Sequence, residues 1–124
     1  MTRDAFNRFC RSLPATSHVV QWGGADVWKV GGKVFAICGA SGAECDDDLP
    51  GITFKTSDIA FEILSDMPGL RPAPYLASRG LKWIQRHGEP GLDLDDLKDY
   101  LVTSHRIVAQ GLSRKLRRAL GLPE

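Results

Sequence analysis

Cations fill four of five consecutive positions in GLSRKLRRALG, residues 111–121: Arg114, Lys115, Arg117 and Arg118. Groups of this kind suit phosphate oxygens, because charged donors make strong hydrogen bonds and a guanidinium matches phosphate as a planar fork. A second basic block lies earlier, at Arg79, Lys82 and Arg86. If 81–86 is extended, Lys82 and Arg86 share one side with Ile84 between them, and Trp83 points the other way. Together the seven cations make a candidate nucleic-acid-binding set. The bland alternative also fits: a solvated helix face whose cations complement the helix C-terminal dipole.

Other chemistry is harder to assemble. Glu44-Cys45-Asp46-Asp47-Asp48 crowds carboxylates beside a thiol, yet lacks the alternating spacing and glycine of a calcium loop. His18, His87 and His105 are scattered, with no metalloprotease-type pairing. His105 falls on the apolar face of a long helical stretch, as expected of a hydrogen-bonded interior ring. Gly39-Ala40-Ser41-Gly42 offers a glycine-flanked serine without a nucleophile-elbow pattern. The glycine pairs at 23–24 and 31–32 match no dinucleotide or phosphate loop and read as turns. No catalytic constellation, metal site or cofactor is expected. A concave pocket around His105, Cys38 or Ser41 would reopen the enzymatic reading.

Bulk numbers bound the rest. The chain has 124 residues and a net charge of +1, from 16 Lys+Arg and 15 Asp+Glu. That length suits one domain over 1–124. The near balance argues against coating nucleic acid by charge alone. Charge is unevenly distributed, however: residues 113–124 carry four cations and one acid, and residues 45–66 carry one and six. Cys10, Cys38 and Cys45 are odd in number and show no C-x-x-C spacing, which suits a reduced, cytoplasmic chain. MTRDAFNRFCRSL has no long apolar stretch, so no secretory leader is expected, and no segment reads as a membrane span.

The elements that must position these groups follow from periodicity. Phe6, Phe9, Cys10 and Leu13 recur at helical spacing, with Thr2 as cap and Pro14 as stop. Residues 17–22, 25–30 and 33–38 read as strands joined at Gly23-Gly24 and Gly31-Gly32. KVFAIC is apolar on both faces and therefore central. GITFK is a fourth strand, and 81–86 a fifth. Ser57 caps a helix to about Asp66, with Ile59, Ala60, Ile63 and Leu64 as its buried stripe. Pro68, Pro72 and Pro74 keep the following stretch irregular. Asp93 opens a long helix with Leu94, Leu97, Leu101, Val108 and Leu112 on one face. Ser113 caps a short last helix, whose Leu112, Leu116, Ala119 and Leu120 are expected to dock while its arginines face solvent. The order α-β-β-β-β-α-β-α-α predicts an α+β fold: a mostly antiparallel sheet of about five strands with helices packed on one face.

KVGGKVFAIC (29–38), ITFKTSDIAFEIL (52–64), PYLASRGLKWI (74–84) and SHRIVAQGLSRKLRR (104–118) occur in an order and spacing that resemble the MmcQ/YjbR proteins of bacteria. The resemblance implies a double-wing or frataxin-like α+β domain of a family commonly labelled DNA-binding. It supplies no catalytic motif. One departure is visible: His105 stands where the family pattern usually has Tyr after the serine. The expected function is binding of double-stranded DNA through the basic C-terminal helix, with the Gly31-Gly32 hairpin as a wing. The alternative is a module that binds another protein or a ligand on an open sheet face, using Trp28 or Trp83.

Overall fold

The computed structural model describes residues 1–21, 23–39, 50–74 and 80–123. Arg79, Trp22, Ser41 and the acidic stretch Glu44–Asp48 lie outside the described residues.

Helix α1 spans Arg3–Ser12, capped by Thr2, whose hydroxyl accepts from the Ala5 amide at 3.1 Å. Strands β1 (Thr16–Gln21), β2 (Ala25–Val30) and β3 (Lys33–Cys38) follow as an antiparallel meander, then β4 (Ile52–Lys55). Helix α2 (Asp58–Ser65) starts at Ser57, which accepts from the Ala60 amide. Strands β5 (Leu70–Pro72) and β6 (Trp83–Arg86) precede helix α3 (Leu94–Gln110), capped by Asp93, and the short helix α4 (Arg114–Ala119), capped by Ser113. The expected caps at Thr2, Ser57, Asp93 and Ser113 all form, each satisfying an amide that has no partner inside its helix.

The sheet has six antiparallel strands in the order β1-β2-β3-β4-β6-β5. The strand beyond the expected five is β5, in the proline-rich stretch read as irregular. Three residues carry no alternation to detect, and Pro72 is tolerated because β5 lies at the sheet edge. KVFAIC is central, as its two apolar faces require.

Register divides the sheet into two faces. The row His18–Trp28–Ala36–Phe54–Ile84 faces the helices. Phe6 and Cys10 of α1, Leu64 of α2, and Leu97, Leu101 and Val108 of α3 pack into one core with Trp28, Ala36, Phe54 and Ile84 of that row. Each large apolar side chain fully buried there contributes about 1.5–3 kcal/mol. The opposite row runs Val27–Ile37–Thr53–Gln85–Arg71. Here Ala25, Val27, Ile37, Ala73 and Trp83 form a second buried cluster. Arg71 donates through Nε and Nη2 to Gln85 Oε1 at 2.9 and 2.6 Å, and Gln85 Nε2 donates to Thr53 at 3.3 Å.

Two expected buried faces need correction. Ile59 is 73% and Ile63 60% exposed, and α2 docks through the expected Ala60 and Leu64 together with Phe61. Apolar residues surround most of this short helix, so periodicity alone does not select the docking arc. Leu94 is also exposed, because it opens α3 beyond the edge of the core.

Candidate functional site

Helix α4 is attached at its two ends. Leu112 before it and Leu122 after it are buried, whereas Leu116 and Leu120 are 36% and 37% exposed. The expectation that Leu116, Ala119 and Leu120 dock is therefore wrong. Six residues make fewer than two turns, and flanking side chains hold so short a helix more effectively than a stripe does. The return is built by Gly121, whose φ of 74° lies in the left-handed region. Its amide donates to the Arg118 carbonyl at 3.2 Å, and the Leu122 amide donates to the Arg117 carbonyl at 2.9 Å. These two bonds are a Schellman ending, which turns the chain and drives Leu122 into the core. Arg114, Lys115 and Arg118 are exposed. Arg117 is half-buried and turns towards α3 to line a cleft with His105 and Arg106.

The β2–β3 turn meets this region directly. Gly31 and Gly32 have φ of 58° and 82°, the left-handed pair of a tight hairpin. A methyl group on Gly31 would fall 2.5 Å from Leu112 Cδ1, so the turn rests on the residue that leads into α4. Lys33, the first residue after the turn, is exposed. Lys82 lies at the same end of the sheet. Lys55 pairs with Trp83, and the Thr56 amide donates to the Lys82 carbonyl at 2.9 Å. Two strand spacings, about 10 Å, separate β6 from β3. Lys82 Nζ sits 4.8 Å from the centroid of the Phe61 ring, and the residue remains exposed. Asp58, in the first turn of α2, is an acid at this end.

Arg86 does not belong with these groups. It lies at the far end of β6, opposite Ile52 and Leu70, and is 4% exposed. Its Nη2 donates to the Pro50 carbonyl at 2.8 Å and to the Met1 carbonyl at 3.4 Å. Burial lowers its pKa from the ordinary arginine value, against the opposing pull of Cys38 and Glu89. The parity that puts Arg86 on the side of Ile84 puts it under the helices, where no phosphate reaches. Neither Trp28 nor Trp83 offers the exposed ring that the open-face alternative needs, and Trp83 is core as its structural reading expects. Trp28 is core on the helix side and donates from Nε1 to Asn7 Oδ1 at 2.8 Å, and Trp83 is buried in the second cluster.

Sequence spacing missed a polar cluster. Arg3, Asn7 and Arg11 recur every fourth residue along α1 and face the β1–β2 hairpin. Asp26, almost fully buried, accepts from Arg3 Nη1 at 2.6 Å and from His18 Nε2 at 2.8 Å. Burial alone would raise the Asp26 pKa. Hydrogen bonds from His18, Arg3 and Asn7, with the Arg3 charge, outweigh burial and hold it below the ordinary aspartate value. The His18 ring lies 4.8 Å from that of Trp28, and Arg11 stands 5.4 Å from the Trp28 ring. The cluster clamps α1 to the hairpin. The readable signal was the i, i+4, i+8 series opposite a hairpin whose register pairs His18 with Trp28.

His105 is the hydrogen-bonded interior ring expected from its position. Its Nε2 donates to the Pro14 carbonyl at 2.7 Å, and it meets Phe35 edge-on at 5.3 Å. It thereby fastens α3 to the end of α1. Cys10 and Cys38 are buried, and burial, then the neighbouring Cys38, pushes the Cys10 thiol far above its ordinary range. A thiol held protonated in this way is a poor nucleophile. Among the described residues, no group of three or more His, Cys, Asp or Glu side chains is placed to hold a metal ion, and no helix is long and apolar enough to cross a membrane.

The YjbR family model matches residues 11–107. The chain belongs to the YjbR family. The matched segment contains the Gly31-Gly32 hairpin, Lys82 and His105, and ends before α4. Among solved structures, Deinococcus radiodurans protein DR2400, described with a DUF419 domain, is similar at 21% identity and a TM-score of 0.81, over 98% of this chain and 89% of that one. A structural-genomics target from Pseudomonas syringae is similar at 19% identity and a TM-score of 0.66, over 87% of this chain and 99% of that one. At these identities the likeness is one of fold. No curated protein matches the chain.

Proposed function

We propose that this YjbR protein is a non-catalytic binder of double-stranded DNA, using the end of the sheet that carries the Gly31-Gly32 turn. The cleft beside His105 meets the condition set for an enzymatic reading, but the ring is committed to the Pro14 carbonyl and no Ser, Thr, Cys, Asp or Glu stands among the described lining residues. Arg114, Lys115 and Arg118 contact phosphates from α4, and Lys33 and Lys82 extend the contact along the sheet end. The observation that supports this is the seat of the turn on Leu112, which sets a hairpin wing beside an exposed basic helix. Arg86 is excluded by burial, and Arg117 by its turn into the cleft.

Phosphate contacts position a protein on DNA and release counterions, so affinity must fall with salt. Neutralising about five phosphates gives a log–log slope near −4.5, or about 500-fold weaker binding between roughly 50 and 200 mM salt. Fluorescence anisotropy of a labelled duplex over that range tests the proposal. Affinity that does not change with salt, or no binding at low salt, removes it.

A second reading is a protein-binding module. Exposed Ile59 and Ile63, one helical turn apart on α2, favour it over the buried tryptophan face. Retained DNA binding in an Ile59→Glu/Ile63→Glu variant separates the two.

A further inference from the structure

A cleft of about 330 Å³ opens between the end of α1, the second half of α3 and the segment after α4. Its walls are apolar: Leu13, Pro14, Val102, Ala109, Leu122 and Pro123. Its polar lining among the described residues is His105, Arg106, Gln110 and Arg117, none of them a carboxylate. We propose that this cleft binds a small amphipathic carboxylate, an organic acid with a short aryl or alkyl tail.

Three observations lead there. The volume lies within the range of small-molecule sites, which are largely apolar with a few fixed polar groups. The two arginines supply positive charge that no acid among the described lining residues neutralises. Arg117 Nε is buried and has no hydrogen-bond partner among the described residues, although buried donors are nearly always satisfied. Packing fixes the geometry. The Schellman ending holds Leu122 next to Arg117's own helix, and the His105–Pro14 bond ties two of the lining residues together. A carboxylate accepts from a guanidinium through two oxygens, a pairing for which Arg117 in the cleft lining is the right chemical partner. The tail then covers Val102, Ala109 and Leu122. Sulfate or phosphate alone would leave this apolar wall wet, so the tail is part of the recognition. The cleft is distinct from the DNA-binding proposal, because it uses Arg106 and Arg117 rather than Arg114, Lys115 and Lys82.

The probe is 4-phenylbutyrate, compared with the uncharged 4-phenylbutan-1-ol, in a backbone-amide NMR titration of the full chain. The expected result is saturable shifts in α3, α4 and residues 13–14, with a dissociation constant of about 1 mM or tighter. The alcohol and an Arg106→Gln/Arg117→Gln variant should each bind about ten-fold more weakly or worse. Val102→Trp substitutes an exposed residue and fills the cleft, so it should abolish the shifts while leaving the rest of the spectrum native. An Arg114→Ala/Lys115→Ala variant should bind the acid like the parent chain. Absence of saturable shifts at 10-fold the expected constant overturns the proposal. So do equal affinity for acid and alcohol, or shifts centred outside the cleft.

Discussion

Asp26 and Arg86 show how differently two buried charges behave. Asp26 gathers donors from Arg3, His18 and Asn7, so ionisation is favoured in the folded state. Its folded pKa lies below the unfolded one, so it stabilises the fold above about pH 4 and loses that contribution as pH falls through the folded value. Asp26→Asn should cost about 2 kcal/mol near neutral pH. Urea unfolding from pH 7 down to pH 2 should show the gap between parent and variant closing at the acid end. A gap that widens on acidification would contradict the assignment. Arg86 instead holds the Pro50 and Met1 carbonyls. Arg86→Met should lower stability by about 2 kcal/mol, read from its urea midpoint, yet leave the DNA salt slope unchanged in the folded protein. Lys82→Ala should do the reverse: stability within about 0.5 kcal/mol of the parent, and a slope about 0.9 shallower. The sequence grouped these two residues by charge. The legible hint lay in Ile84 between them, since whatever buries Ile84 also buries a same-side neighbour within the strand. Lys82 escapes because it precedes the strand.

At the scale of elements, the helix caps and the hairpin turns were readable, because each rests on a local bond or a local φ. The docking arcs of α2 and α4 were not, because the sheet and the flanking leucines choose them. Gly31 and Gly32 separate local from tertiary effects. Both need the left-handed region, where a side chain costs about 1–2 kcal/mol. A Cβ at Gly32 meets open space, whereas one at Gly31 meets Leu112. Gly32→Ala should therefore lower stability by about 1–2 kcal/mol and leave α4 in place. Gly31→Ala should cost more, and should also perturb the NMR signals of Leu112 and α4. Equal effects of the two substitutions would mean that the turn does not carry the junction.

For the whole molecule, the fold class followed from the order of elements and from the YjbR resemblance, and the family match bears the resemblance out. The positive surface did not follow. Seven cations chosen along the chain divide in three dimensions. Lys82, Arg114, Lys115 and Arg118 are exposed, Arg86 is interior, Arg117 lines a cleft, and Arg79 lies outside the described residues. Lys33 joins the exposed set because the hairpin folds back onto Leu112. Linear charge density does not encode such sorting, which depends on strand parity and on where a six-residue helix is attached.

The most direct test is the salt dependence of duplex binding for the parent chain and for Arg114→Ala/Lys115→Ala, measured by anisotropy on the same labelled duplex. The expected slope is near −4.5 for the parent and near −2.7 for the variant, since two of about five phosphate contacts are removed. Identical slopes, or a parent chain that fails to bind duplex at roughly 50 mM salt, would contradict it.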